Sequence, residues 1–296
     1  MYLEGLRDWP YTDKPDFETV FVLENEVAGG YRPAPKILAR AEMPEREVRS
    51  RWDANPDRDR YAYLTPEFAI GYANGDYNAQ DKMIAVELAS SKESLPAIAV
   101  VPDATDQPYG KLKSKDRSGH NKPKHNPLHP TIVQDKGTLT AVLNLDGSAE
   151  NLATNIILPA QADRIVLDSE SVRADQPFAK AAGSETVVGV REGNAGVAIR
   201  IFHADGGKPE FVLQADREGL RWGAARYTVY HHLRDRHIRV GLLIMAAKCV
   251  NDRDLADLVS KARQAKPSLD LTRPKPVPAL AVNGENLSLA TFLGTR

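Results

Sequence analysis

Short runs of strand-forming residues follow one another along most of this chain, and they constrain its fold more than any other feature. From Tyr61 onward these runs are rich in valine, isoleucine and tyrosine, with glycine, proline, asparagine or aspartate between them. Such runs at close spacing, without helices alternating between them, are typical of antiparallel sheets rather than of a parallel α/β fold. The sequence therefore predicts a mainly β protein, a large antiparallel β supersandwich.

Turn signals within this series predict hairpins. Asn283-Gly284 is the strongest of them, and Gly193-Asn194 joins the runs 186–190 and 196–202. The segment 135–137, Asp-Lys-Gly, is typical of a three-residue hairpin with glycine in the left-handed conformation.

One flanking α-helix is predicted, from Asn251 to about Ala265. Asn251 or Asp252 can cap its N-terminus, and Pro267 ends it. Its apolar residues recur at helical spacing and share one face: Leu255, Leu258, Val259 and Ala262. We therefore expect this helix to lie against a sheet.

The domain organisation follows from the same patterns. Residues 1–60 are polar and punctuated by proline, and they are predicted to be an irregular N-terminal lead with a short helix at 34–42. The sandwich domain is expected over 61–291, including a proline-rich extended connector at 266–279.

Composition excludes several classes of protein. The net charge of -1 and the pI near 6.7 argue against general affinity for nucleic acid or for an anionic membrane. The longest apolar run, 240–247, is far shorter than the roughly 20 residues of a membrane span. The single cysteine, Cys249, has no internal disulfide partner and is predicted to be a buried, inert thiol.

The compartment is left open by the sequence. The N-terminus has no apolar signal core. We expect either a cytoplasmic protein or part of a longer exported one, which would be periplasmic or secreted.

The segment 117–137 is the most informative for chemistry. It is basic, interrupted by proline, and carries His120, His125 and His129 within ten positions, directly before a predicted hairpin. A loop held by a sheet is where sites are commonly built. Zinc accepts imidazole readily and a loop could fold the three histidines around it, but no cysteine or acid stands at structural spacing. No cofactor is therefore predicted, with a zinc site as the weaker alternative. The lysines of this segment are either solvated or attract an anionic polysaccharide.

A second cluster covers residues 220–233. Along a strand, Thr228, Tyr230 and His232 share one face, and Tyr227, Val229 and His231 share the other. Tyr230 and His232 could line a groove with Arg221 and Trp222, since aromatic rings stack on sugars and arginine pairs with carboxylates. Equally, either face could be part of the core.

Other parts of the chain predict no chemistry. The tyrosines at 61, 63, 72 and 77 are interpreted as packing residues. The sequence contains no phosphate-binding glycine loop, no dinucleotide fingerprint, no hydrolase nucleophile elbow and no zinc-protease motif.

The chain resembles the β-sandwich half of bacterial heparinase II/III-like polysaccharide lyases. The resemblance is carried by three segments, 61–71, 129–135 and 188–200, and by a helix at 251–265 before a closing strand pair at 280–291. In that group an α/α toroid precedes the sandwich. This chain has no such toroid, so the resemblance implies either a C-terminal portion of a longer protein, or a sandwich that acts alone or with a partner chain.

The resemblance implies β-elimination on an acidic polysaccharide or oligosaccharide. His129 and Tyr230 are then the candidate catalytic residues. The candidate substrate-binding residues are Gln134, Arg221, Trp222, His232 and His125. Whether the chain is an enzyme stays open, because a non-catalytic carbohydrate-binding or assembly module of the same fold would use the same surface. A mutarotase-like sandwich that epimerises sugars is a weaker third alternative.

Overall fold

The structure is a computed structural model of the chain. It describes residues 43–51, 59–73, 84–90, 97–103, 112–115, 121–123, 131–146, 152–159, 162–173, 178–181, 185–203, 209–214, 224–231, 237–270, 277–282 and 285–287. In the predicted N-terminal lead it describes only Pro35 and Ala39 before residue 43, and both are helical. The described residues form antiparallel sheets and a single full helix, which confirms the predicted mainly β class.

The larger sheet has nine strands in the order β1-β2-β3-β4-β5-β10-β17-β16-β13. Their bounds are β1 Arg46–Arg51, β2 Asp59–Leu64, β3 Phe68–Ala73, β4 Ile84–Leu88, β5 Ala97–Asp103, β10 Leu152–Pro159, β13 Phe178–Ala181, β16 Pro209–Gln214 and β17 Ala224–His231.

The second sheet has seven strands in the order β12-β11-β14-β15-β18-β9-β8. Their bounds are β8 Thr131–Asp135, β9 Thr138–Asp146, β11 Arg164–Leu167, β12 Glu170–Val172, β14 Glu185–Glu192, β15 Ala195–His203 and β18 His237–Lys248. The remaining described strands form two small sheets. One pairs β6 Leu112–Lys115 with β7 Asn121–Pro123, and the other consists of β19 Lys266–Asp270, β20 Val277–Val282 and β21 Glu285–Leu287.

The two large sheets pack face to face around one apolar core. Alternation along the strands selects its members: on β15, Val197, Ile199 and Ile201 belong to the core, as do Ile70 of β3 and Ile156 of β10 from the other sheet. All five side chains are at most 1% exposed. The architecture is therefore a sandwich, since residues of both sheets contribute to a shared interior.

The predicted helix is confirmed as α1, Asp252–Gln264, and it covers the outer face of the seven-stranded sheet. The Asn251 side chain accepts hydrogen bonds from the backbone N–H groups of Arg253 and Asp254, which caps the N-terminus. The four predicted apolar residues are all buried against the sheet: Leu255, Leu258, Val259 and Ala262. At Gly189 of β14 a Cβ atom would stand 2.6 Å from Val259, so the close approach of helix and sheet requires glycine there.

Polar contacts hold the C-terminal part of α1 on the sheet. The Arg200 guanidinium donates to the carbonyl oxygens of Ala262 (3.1 Å) and Ala265 (2.7 Å) and pairs with Glu185. A cation at the end of a helix satisfies carbonyls that have no partner within the helix and is favoured by the helix dipole.

The sandwich has two ends, which the strand registers and the contacts between sheets identify. At one end, which we call the tied end, the turns at 65–67, 136–137 and 193–194 lie together with the start of α1. The other end is where β5, β9, β15 and β17 finish and where β8, β10 and β18 begin. Connections 52–58, 74–83, 104–130, 147–151, 204–208 and 232–236 leave from and return to this second end.

Four side-chain contacts join the sheets toward the tied end. The Tyr61 hydroxyl accepts a hydrogen bond from the Lys136 backbone N–H at 3.2 Å. The Lys248 ammonium lies 2.9 Å from a carboxylate oxygen of Glu67.

The other two contacts of the tied end involve buried polar side chains. Glu192, at the end of β14, is 2% exposed and accepts hydrogen bonds from the Ser90 hydroxyl and from the Asp163 backbone N–H at 3.1 Å. Gln134 of β8 donates to the carbonyl oxygen of Ile70 across the interior at 3.1 Å. Because buried polar groups are costly unless they are paired, these bonds fix how one sheet lies on the other.

The hairpin at 135–138 differs from the sequence-based expectation. Asp135 pairs directly with Thr138, so the turn has two residues, and the left-handed residue is Lys136 (φ 46°) rather than Gly137. Glycine is needed at 137 for a different reason: a Cβ atom there would stand 2.6 Å from the carbonyl oxygen of Ala246. The expected left-handed glycine was therefore wrong, although the hairpin itself is confirmed.

Two boundaries also lie elsewhere than the patterns indicated. Strand β1 begins at Arg46, within the segment interpreted as an irregular lead, and pairs along its whole length with β2. Part of the expected connector forms β19, which pairs with β20. Charged residues at alternate positions hide β1 from a search for apolar runs, since an edge strand tolerates them.

Candidate functional site

The histidine segment leads into an edge strand of the seven-stranded sheet. His125 and His129 lie outside the described residues, but Thr131, two positions after His129, is the first residue of β8. Strand β8 is the last strand of the seven-stranded sheet and pairs only with β9 within it. Strand β8 therefore begins at the second end of the sandwich, opposite the tied end.

Gln134, predicted to contact sugar hydroxyls, lies in the interior. Its side chain is fully buried, and its amide nitrogen donates to the carbonyl oxygens of Ile70 (3.1 Å) and Lys136 (2.9 Å). Its amide oxygen is buried and has no hydrogen-bond partner within the described part of the chain. In this arrangement Gln134 connects the two sheets, and a role in binding substrate stays a prediction.

The register of β17 indicates which of its faces belongs to the core. Tyr227 is the Cα partner of Ile156, and Ala225 is the partner of Leu158, and both β10 residues are completely buried. Directly opposed residues share a face, so positions 225, 227 and 229 fall on the inner side of the sheet. Position 230 accordingly falls on the outer side. The sequence defined two faces of this strand, and the register shows which of them is inward.

Thr131, the first described residue after His129, and Tyr230 lie on distant strands. The sheets contact each other through β3 with β18 and through β4 with β15, which fixes how one strand order runs over the other. Strand β17 lies three strands beyond β4 in one direction, and β8 lies three strands beyond β15 in the opposite direction. At roughly 4.8 Å per strand, these six steps separate the two strands by about 29 Å.

Tyr230 is the one candidate site residue of the second predicted cluster that the structure describes. Arg221, Trp222 and His232 lie outside the described residues. Strand β17 begins at Ala224, at the tied end, and Tyr230 stands near the other end of its eight residues. An extended strand of that length spans roughly 25 Å, so Tyr230 lies far from the point at which the chain enters β17.

The tyrosines of β2 pack in the core, as the sequence predicted. Tyr61 and Tyr63 are 3% and 7% exposed. Burial, and the hydrogen bond that its hydroxyl donates to Glu45 (3.0 Å), raise the pKa of Tyr63 to about 12. A phenol with so high a pKa is a poor general base near neutral pH.

Among the described residues, neither the cysteine nor a cluster of metal ligands forms a site. Cys249 is buried, and burial raises the pKa of its thiol to about 11, as expected for an unreactive cysteine. Among the described residues, no three histidine, cysteine or acidic side chains converge as a metal site would require. Within the same part of the chain, no helix is both long and apolar enough to span a membrane.

Sequence reasoning missed Glu192, the most buried charged group among the described side chains. A signal existed, because Glu192 continues the alternation of Val188 and Val190, both of which belong to the core. An acid at an inward-facing position next to a tight turn predicts a buried carboxylate with backbone partners.

Comparisons with known proteins add no family. The chain matches no protein-family model, no curated protein and no solved structure. The fold described above is therefore the firmest statement of what class of protein this is: a mainly antiparallel β-sandwich with one flanking helix.

Proposed function

We propose that the chain is the β-sandwich module of a carbohydrate-active protein of the polysaccharide-lyase type, which acts on an acidic glycan by β-elimination. The observation that carries the proposal is the two-sheet antiparallel architecture, with the basic histidine segment leading into an edge strand of one sheet. The helical toroid of such enzymes would come from the same polypeptide or from a partner chain. No metal or other cofactor is part of this proposal.

The proposed reaction requires three actions on a uronic-acid residue. A base removes the C5 proton, and the electron pair of that C–H bond forms a C4=C5 double bond. The C4–O bond to the leaving glycan breaks, and the leaving oxygen takes up a proton. His129 is the proposed acid or base, and basic residues of its segment would neutralise the carboxylate as charge develops.

A second candidate, a non-catalytic carbohydrate-binding or assembly module, is favoured by one specific observation. Strand β8, which follows the segment of His129, lies about 29 Å from β17, which contains Tyr230. An acid and a base that act on one sugar must stand within hydrogen-bond reach of it. Binding of a polymer needs no such convergence, since separate sugars along it can occupy separate contacts.

One experiment separates the two candidates. The purified chain is incubated with a panel of polyuronates, and the ultraviolet absorbance of the unsaturated uronyl product is followed alongside equilibrium binding. An increase in absorbance with time supports the lyase. Saturable binding without any absorbance change supports the binding module, and the absence of both overturns the proposed function for this chain.

The assignment of His129 is tested by His129→Ala. If it is the acid or base, turnover should fall by about 100-fold or more, while the melting temperature stays close to that of the wild type. Gln264→Ala is a matched control, because Gln264 is an exposed helix residue whose side chain bonds only to Ser260 among the described contacts. Full turnover in His129→Ala would remove His129 from the mechanism.

A further inference from the structure

Four buried side chains lie on the outer face of the seven-stranded sheet, away from the core between the two large sheets. They are Val133 of β8, Thr140 and Val142 of β9, and Leu243 of β18. Each has a neighbour in sequence that belongs to the core between the sheets, such as Leu139 or Leu242. Successive side chains of a strand point to opposite faces, so these four point outward. We call them the covered strip, because another layer of the protein must exclude solvent from them.

The described strand that lies over this strip is β20. Its Cα atoms come within 8 Å of Cα atoms of both β8 and β9. A strand placed beside β8 in the plane of the sheet would lie roughly 10 Å from β9, so contact with both strands puts β20 over a face. The inner face is occupied by the other large sheet, and the buried outward side chains therefore identify the outer face as the one that β20 covers.

The outer face is thus covered in two consecutive parts of the chain. Helix α1 contacts β14, β15 and β18, and the segment after it supplies β20. Strand β20 is the middle strand of the sheet β19-β20-β21, which we call the C-terminal sheet. Because its ladders join β19 to β20 and β20 to β21, the whole sheet can move without breaking any described backbone pairing with the large sheets.

Helix α1 is fixed at the residue before the C-terminal sheet begins. Arg200 of β15 donates to the carbonyl oxygens of Ala262 and Ala265, and Lys266 is the first residue of β19. Arg263 also lies 3.3 Å from a carboxylate oxygen of Asp168. The junction between Ala265 and Lys266 is therefore a fixed point, with an anchored helix before it and a separately paired sheet after it.

The two covered interfaces also differ in polarity. Under α1 the buried side chains form an apolar cluster, which includes Leu255 and Val187. In the covered strip the Thr140 hydroxyl is completely buried and has no hydrogen-bond partner within the described part of the chain. A buried hydroxyl without a partner destabilises the closed arrangement and is rehydrated when its cover leaves. Opening should therefore be easier at the C-terminal sheet than at the helix.

We propose that the C-terminal sheet is a displaceable cover. It moves away as one unit about the junction between Ala265 and Lys266 and exposes the covered strip, while α1 and the two large sheets stay folded. Proteins open in such cooperative units with free energies below that of global unfolding. The device goes beyond the proposed function and does not depend on it. Since β8 is an edge strand, opening exposes the outer face of the edge at which the histidine segment joins the fold.

Native-state hydrogen exchange of the whole wild-type chain, followed by NMR, tests the proposal without any variant. The amides of β19, β20 and β21 should exchange together, at least about 100-fold less protected than those of β15. The amides of α1 should be at least about tenfold better protected than those of the C-terminal sheet. Low concentrations of urea should accelerate exchange in the C-terminal sheet only slightly, because its opening exposes little surface.

Three results would overturn the displaceable cover. Equal protection of β20 and β15 would mean that the C-terminal sheet leaves only when the whole protein unfolds. Exchange of α1 together with the C-terminal sheet would show that the chain is not anchored at Ala265. Protection that falls strand by strand toward β21 would indicate fraying instead of the movement of one unit.

Thr140→Val tests whether opening hydrates the covered strip. The substitution removes the buried hydroxyl and nearly keeps the side-chain volume, so exchange of the β20 amides should slow by about tenfold. Thr186→Val is the matched control, because the Thr186 hydroxyl is also buried but donates to Asp168 at 3.3 Å, on β14, three strands from β9. It should accelerate exchange of β15 and leave β20 unchanged. Unaltered exchange of β20 in Thr140→Val would mean that the strip stays covered, which contradicts the proposal.

Discussion

The two ends of the sandwich differ in their connections and in their described side-chain contacts. The tied end has tight turns and side chains that reach from one sheet to the other, such as Glu192 to Ser90 and Gln134 to Ile70. The second end is where the chain leaves the larger sheet at Asp103 and enters β8 at Thr131, after a long segment that carries three of the seven histidines in its sequence. The contrast teaches that one end can fix how the sheets pack, which leaves the sequence of the other free to serve binding.

This division can be tested by removing a contact at the tied end. Glu192→Ala removes the acceptor for two donors in a buried place, and we expect it to lower the free energy of unfolding by about 3 kcal/mol. Urea denaturation measures the change. Glu87→Ala is the matched control, because Glu87 is exposed on β4, and it should change stability by less than about 0.5 kcal/mol.

If the ends are independent, the Glu192 variant should bind acidic glycan as the wild type does under conditions in which it remains folded. A variant that is as stable as the wild type, or one that loses glycan affinity while folded, would contradict the separation of the two ends.

Gln134 provides a second test of the separation between the two ends, because it was predicted to bind substrate but its side chain lies in the interior. Gln134→Leu removes the hydrogen bond to Ile70 but also removes the buried amide oxygen that has no partner among the described residues. These effects oppose each other, so the expected loss of stability is about 1 kcal/mol. Gln264→Leu, on the exposed face of α1, is the control.

The two roles of Gln134 predict opposite results for binding. If it only connects the sheets, glycan affinity stays unchanged while stability falls. Lower affinity with unaltered stability would instead support the predicted contact with substrate.

Local patterns predicted the elements of this fold well. The helix was predicted with its buried face and with Asn251 as one of two candidate caps, since helical spacing and capping depend on residues within one or two turns. The hairpin across Gly193-Asn194 was predicted for the same reason, and Gly193 has the left-handed conformation that such a turn requires (φ 55°).

Features that depend on strand order were not predicted. The alternation along β17 defined two faces, but only its pairing with Ile156 of β10 showed which one is inward. In the same way, the candidate site residues could be picked by type, whereas the distance between β8, which follows His129 in sequence, and β17, which contains Tyr230, depends on an order of sixteen strands in two sheets. That order is set by contacts between distant segments, which no local pattern contains.

The smallest expected effect concerns the exposed contact of the tied end, between Glu67 and Lys248. The hydrogen bond from Lys248 is the main cause that holds the pKa of Glu67 below its ordinary value. A carboxyl group whose pKa is lower in the folded state stabilises the fold above its unfolded-state pKa, and that stabilisation is lost as pH falls through the lowered folded-state value. Because Lys248 is 63% exposed, the contribution should be only a few tenths of a kcal/mol.

Lys248→Met tests this contact through its dependence on pH. The variant should be slightly less stable than the wild type near neutral pH, and the difference should disappear in acid, where Glu67 is protonated in both proteins. It should also shrink at high salt, which screens an exposed ion pair. A difference that persists unchanged in acid would mean that Lys248 acts through packing of its aliphatic chain, and the tied end would then depend on buried contacts alone.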